Sequence, residues 1–360
     1  MRKIIVAAGT HSEAIHMAPL LLRLQSLPSI QVSVCVAAQH RHAVLQAFGS
    51  FGIECGNTIV CEQGPETGRS HPLDSLLEQH KPDCVLIHGD ARMAAGSSYL
   101  QLPAGGHAGV CMHELRYAVR ENANDGAVEL AGSNYFVPTE LLRGELLAKG
   151  VAAEKIFLTD SIAVDAMLLV AERIRRDDAL RAGLAAAFPF LDPGRRLILV
   201  NAPHYDNSDT RLESICRALK RLAVRTDVQL VYQSGHDART SSHARGIFAN
   251  HPGIVFVEAQ DYLHSVYLLQ AAYLILTDLD DTLRGALSLG KPVLVLRDIS
   301  ERPATVDAGT VRLVGCETER IQRECSMFLD DPSYYRAFSA HRNPFGDGHA
   351  SQRIVETLLR

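Results

Sequence analysis

Leu274–Pro303, LILTDLDDTLRGALSLGKPVLVLRDISERP, decides the fold. Its two short apolar runs, Leu274 to Leu276 and Val293 to Leu296, have the length and composition of strands buried on both faces of a parallel sheet. The intervening Thr282 to Leu289 reads as a helix, so the stretch is a βαβ unit. Such a unit delivers the N-terminus of its helix to the carboxyl edge of the sheet, where ligands of open α/β sheets bind. Residues between Thr277 and Thr282 are therefore expected to face a site.

The same alternation extends outward in both directions. Upstream lie a strand at Leu197 to Val200, a helix at Arg211 to Val224, strands at Gln229 to Tyr232 and Ile254 to Val257, and a helix at Leu263 to Gln270. The first half repeats the scheme. A strand at residues 3 to 8 turns through Gly9 to Ser12 into a helix with apolar Ile15, Met17, Leu20, Leu21 and Leu24. Further strands follow at 31 to 37, 83 to 87, 109 to 112, 135 to 138 and 156 to 159, with helices at 43 to 48 and 140 to 149. Asp165 to Asp192 reads as a long helical segment ending at the Pro and Gly cluster Phe188–Gly194, a boundary signal. Two successive sets of this kind predict two doubly wound, Rossmann-like α/β domains. The expected division is residues 1–170, a helical linker 171–194, a second domain 195–342, and a terminal segment 343–360 carrying a helix from Ser351 to Leu359.

Composition excludes several classes. At 360 residues the chain exceeds what one core usually holds. With 47% apolar and 21% charged residues it has the balance of a soluble globular protein. A formal charge of −5 and a pI near 6.3 give no electrostatic basis for nucleic acid or an anionic membrane as partner. No apolar run approaches the ~18 residues of a spanning helix, and the start enters a strand directly, so a cytoplasmic location is expected. Eight scattered cysteines without a CxxC pair read as buried thiols. Sixteen histidines show no HxxxH spacing, so neither metal nor cofactor is expected; Asp278, Asp280 and Asp281 are the carboxylates nearest to a metal pattern.

Ser288–Gly315, SLGKPVLVLRDISERPATVDAGTVRLVG, resembles the C-terminal half of bacterial non-hydrolysing UDP-N-acetylglucosamine 2-epimerases. Gly9–Leu20, GTHSEAIHMAPL, stands for that family's GTRPEAIKMAPL. Gln39-His40-Arg41, His88-Gly89-Asp90 and Asn343–Ser351, NPFGDGHAS, carry the likeness to the ends of the chain. The resemblance implies a GT-B arrangement, with the two domains facing a cleft and the C-terminal helix returning to the first. It also implies a homodimer and a sugar or nucleotide-sugar substrate. The implied reaction is epimerisation beside the anomeric centre, by elimination of UDP to a glycal and its re-addition.

Site residues follow from the same resemblance, and several are altered. Asp90 matches one catalytic carboxylate; a strand-end Asp capping a helix near Arg92 is the alternative. A second family carboxylate aligns on Met112, leaving Glu114 two residues away as its candidate replacement. Glu121 matches a third, or is a solvated loop carboxylate. Arg116, His236, Glu301 and Arg302 are retained as candidate binding residues, Glu301 and Arg302 alternatively forming an internal ion pair. His11 replaces an Arg and His16 a Lys, and His204 stands one position displaced from a basic motif. Asp280 and Asp281 replace two glycines at a helix start that cradles diphosphate in the family, and Gly285 replaces a ribose-binding Glu. Two carboxylates in that first turn are expected to oppose a diphosphate, at about 4 kcal/mol for one charge pair at ~4 Å and an effective dielectric of ~20. Two readings stay open: an isomerase with a remodelled phosphate site and a changed substrate, or a non-catalytic relative that binds a ligand or an enzyme subunit.

Overall fold

The computed structural model describes residues 1–61, 76, 79–88, 108–112, 134–148, 150–201, 209–235, 238–249, 251–298, 311–339 and 343–360, with the backbone alone at 108–112, 209, 238, 240 and 280. Two parallel sheets organise it. The first joins β1 (Arg2–Ala8), β2 (Ile30–Ala37), β3 (Thr58–Cys61), β4 (Cys84–His88), β5 (Ala108–Met112), β6 (Asn134–Val137) and β7 (Ile156–Leu158) in the order β3-β2-β1-β4-β5-β6-β7. The second joins β8 (Arg196–Asn201), β9 (Val228–Gln233), β10 (Ile254–Val257), β11 (Leu274–Thr277), β12 (Val293–Val295) and β13 (Val311–Leu313) in the order β10-β9-β8-β11-β12-β13. In both, the chain builds outward to one side from its first strand and then returns to the other. That leaves a topological switch point at β1/β4 in one sheet and at β8/β11 in the other, the places where such sheets bind ligands. The α/β, doubly wound class expected from the sequence is the class observed.

Helices cover the sheets because the strands are apolar on both faces. In chain order they are α1 (His11–Gln25), α2 (Arg41–Gly49), α3 (Glu140–Ala148), α4 (Ile162–Arg176), α5 (Asp178–Ala187), α6 (Asp209–Leu222), α7 (Ala238–Phe248), α8 (Tyr262–Ala271), α9 (Asp280–Ser288), α10 (Thr318–Asp330), α11 (Pro332–Ser339) and α12 (Ala350–Leu358). The predicted segment 165–192 is thus two helices, and α7, α10, α11, β3 and β13 have no clear counterpart in the sequence pattern. Ile198, Val200, Leu230, Leu274, Leu276 and Leu294 share one face of the second sheet with Leu219 of α6 and Phe328 of α10 in one buried cluster. Each fully buried side chain of this size stabilises by roughly 1.5–3 kcal/mol.

The chain divides into two compact units, Met1–Leu169 with Phe345–Arg360, and Val170–Pro344. Within the first unit, α12 is held by a carboxylate from α4. Asp165, 2% exposed, accepts from the amides of Ala350 at 3.0 Å and Ser351 at 2.7 Å, and from the Ser351 hydroxyl at 2.5 Å. These are donors at the start of a helix whose own N-cap, His349, makes no side-chain cap bond. Gly346, at φ +132, lets the approach segment lie against Asp160, where an added Cβ would come within 2.4 Å of the Asp160 Cβ.

Within the second unit, Ser288-Leu-Gly-Lys-Pro292 is a stop signal. Gly290, at φ +65, closes α9; its amide donates to Leu287 at 3.1 Å and the Lys291 amide to Ala286 at 3.0 Å, the paired bonds of a Schellman cap. The Lys291 ammonium donates to the Gln270 carbonyl at the end of α8, at 2.8 Å, and burial lowers its pKa. The phrase that carries much of the family likeness therefore acts in folding.

Candidate functional site

At the first switch point, β1 ends at Ala8 and Gly9 turns the chain into α1. Thr10 caps that helix by accepting from the Glu13 amide at 3.2 Å, and the Glu13 carboxylate accepts from the Gly9 amide at 2.7 Å. This reciprocal arrangement fixes the entry angle of α1. His11 is the first residue of the helix and is partly exposed. His16 lies one turn further and is 5% exposed, packed edge-to-face at 4.7 Å between ring centroids against His88, the last residue of β4, itself 5% exposed. His88 was read as part of a motif; its pairing with His16 was not anticipated. Asp90 follows two residues after His88 and lies outside the described residues, as do Glu114, Arg116, Glu121, His204, His236, Glu301 and Arg302.

At the second switch point, α9 begins at Asp280, two residues before the expected start at Thr282. Its N-cap, Leu279, provides no side-chain cap bond, and the Leu279 amide donates to the Thr277 hydroxyl at 3.0 Å. Asp280 and Asp281 are the first two helical residues. Arg284, 3% exposed, donates from Nη2 to Asp281 Oδ1 at 2.5 Å. Of the two carboxylates expected to oppose an anion here, one is met by this buried guanidinium, which reduces that opposition. The Tyr262 phenol is pushed above its ordinary value by burial and by the Asp281 charge. Asp278, 4% exposed, follows β11, and Asn201, the last residue of β8, donates from Nδ2 to Thr282 Oγ1 at 2.7 Å.

Arg284 and Asn201 are absent from the residues the sequence marks, whereas Thr282 bounds the expected edge. An Arg three residues after an Asp on a helix is an available signal for the ion pair; nothing local marks the Asn201–Thr282 contact. Among the described residues, no three His, Cys, Asp or Glu side chains converge to hold a metal ion. No helix among them is long and apolar enough to cross a membrane. The arrangement offers polar groups at two sheet edges, with a cation and carboxylates at the second.

Comparison with known proteins agrees with this architecture. A family model described as UDP-N-acetylglucosamine 2-epimerase matches residues 22–359. The UDP-N-acetylglucosamine 2-epimerase of Escherichia coli strain K12 is 37% identical over 369 aligned positions, covering 99% of this chain and 98% of that protein. The enzyme of that name from Neisseria meningitidis serogroup A is 33% identical over 370 positions, covering 99% of each. A crystal structure of UDP-GlcNAc 2-epimerase from Neisseria meningitidis bound to UDP-GlcNAc matches with a TM-score of 0.83 and 31% identity, covering 99% of both chains.

Proposed function

The chain belongs to the UDP-N-acetylglucosamine 2-epimerase family, and from that membership we propose that it inverts the carbon beside the anomeric centre of a UDP-linked N-acetylamino sugar. A base removes the proton from C2 while the C1–O bond to UDP breaks, giving a glycal and free UDP. UDP then adds back to C1 and a proton is delivered to the opposite face of C2. Asp90 is the proposed principal acid–base group, with Glu121 and Glu114 as the further carboxylates. Arg116, His11, His16, His204, His236, Glu301 and Arg302 are proposed to contact substrate. The protein's own side chains suffice for this chemistry without a cofactor. A cytoplasmic homodimer is the proposed state.

The observation that carries this reading is likeness over the whole chain, 37% identity across 99% of it, combined with polar residues at both sheet switch points. The finer proposal is a phosphate site altered at Asp280 and Asp281, supported by their place as the first two residues of α9; Arg284 engages one of the two carboxylates. The test is incubation of the purified chain with UDP-N-acetylglucosamine, followed by chromatographic detection of the 2-epimer, with Asp90→Asn alongside. Formation of the epimer by the wild type and its loss in the variant support the proposal. Tight binding of the nucleotide sugar without turnover would instead favour a non-catalytic relative.

A further inference from the structure

The last residues of three neighbouring strands form a row. Gln233 on β9 pairs in register with Asn201 on β8, and the register that sets Leu276 beside Val200 sets Thr277 of β11 beside Asn201. Register partners project from the same face of a sheet, so the three side chains lie side by side. They are 8%, 8% and 0% exposed, respectively. Helices on that face hold two of them: Thr282 of α9 engages Asn201 at 2.7 Å, and Ser265 of α8 accepts from Gln233 Nε2 at 3.2 Å.

Each amide is used at one end only. Among the described residues, Asn201 Oδ1 and Gln233 Oε1 are buried without a hydrogen-bond partner. Turning either amide would exchange an open acceptor for an open donor. Gln229 supplies an internal contrast, because it lies four residues earlier on the same strand and face. Its Oε1 accepts from the Asp192 amide at 3.0 Å and its Nε2 donates to the Phe190 carbonyl, so both ends are filled. Half-satisfied buried amides thus occur at the carboxyl end, where α/β sheets meet ligands, and the amide near the amino end of the strand is complete.

Resting on the nucleotide-sugar reading above, we propose that Asn201 and Gln233 are specificity-determining residues that hydrogen-bond the uncharged part of the substrate, its hydroxyl or N–H groups. The phosphates would be held elsewhere. Neutral amides match neutral donors. The row is preformed, since α8 and α9 fix both amides before a ligand arrives.

Calorimetry on the full chain tests this, using UDP and UDP-N-acetylglucosamine with wild type, Asn201→Leu, Gln233→Met and the control Gln229→Met. The two row variants should bind one or both ligands about tenfold more weakly, while their melting temperatures hold or rise as a half-satisfied buried amide is removed. The loss should persist between about 50 mM and about 500 mM salt, because neutral contacts are not screened. Gln229→Met should melt earlier and bind normally. If Asn201→Leu does not fold, Asn201→Ser, which keeps a hydroxyl for Thr282, must show the same loss. Binding within twofold of wild type in both row variants overturns the inference alone. Failure of the wild type to bind either ligand overturns the proposed function and this inference with it.

Discussion

Replacing Asp165 by Ala should destabilise the unit formed by Met1–Leu169 and Phe345–Arg360 far more than an ordinary surface carboxylate would. The side chain is 2% exposed and accepts three hydrogen bonds, from two first-turn amides of α12 and the Ser351 hydroxyl. Hydrogen bonds to a charged group contribute roughly 1.5–3 kcal/mol each. Local opening would let water reach some of the freed amides, so the net cost is about 3–5 kcal/mol. In a unit of roughly 185 residues each kcal/mol moves the melting temperature by ~2–4 °C, so a fall of roughly 10 °C is expected. Ser351→Ala removes only one of the three bonds and should cost about 1 kcal/mol. Combined with Asp165→Ala it should add almost nothing, since its partner is already gone. Differential scanning calorimetry of the two single variants and the double variant measures all three quantities. A melting temperature for Asp165→Ala within 2 °C of wild type, or full additivity in the double variant, would refute the reasoning.

Other consequences are equally open to measurement. Converting Asp280 and Asp281 to Gly removes two charges and releases Arg284, so UDP affinity should rise roughly tenfold, about 1.4 kcal/mol, with the gain shrinking in salt; unchanged calorimetric affinity would count against an altered phosphate site. Hydrogen bonding to Arg353 holds Asp347 below the usual carboxylate range, whereas burial raises Asp160 and the same Arg opposes that rise. A depressed carboxylate contributes stability above its unfolded pKa of ~3.9 and loses it as pH falls through the folded value. Because the Arg353–Asp347 pair is half exposed, Arg353→Gln should melt only slightly below wild type at neutral pH, and the gap should close as pH falls below the usual carboxylate range; a gap independent of pH would contradict the assignment. Burial pushes the Cys216 thiol up to about 12 and also raises Cys325. Both should resist iodoacetamide in the native protein at about pH 8 and react after unfolding in urea, as read by mass spectrometry, and rapid native labelling would count against their burial.

Legibility in the sequence followed the range of the interaction. The Leu274–Pro303 unit was readable because buried parallel strands are short continuous apolar runs, and Gly290 and Pro292 mark the helix stop in the chain itself. Short strands such as Val311–Leu313 carry too few residues to stand out from an apolar loop. The start of α9 was displaced by two residues because Asp suits both a cap and a first turn, and that displacement concealed the Asp281–Arg284 pair. Contacts set by tertiary structure left no local trace. His16 meets His88 across the β1/β4 switch, Asp165 reaches Ser351 across 186 residues of chain, and Gln233, Asn201 and Thr277 become neighbours only through strand order. Asp90, Glu121, Glu114 and the anion-contact set rest on family likeness alone, whereas the Thr277–Thr282 edge follows from the physics of the βαβ unit.

The central claim, reversible removal of the C2 proton, is tested most directly by incubating the chain with UDP-N-acetylglucosamine in deuterium oxide and following C2 by proton NMR. Epimerisation through a glycal predicts deuterium at C2 in both epimers as the mixture approaches equilibrium, with exchange abolished in Asp90→Asn. A C2 proton that persists unexchanged in the wild type, under conditions where the sugar is bound, would contradict the account.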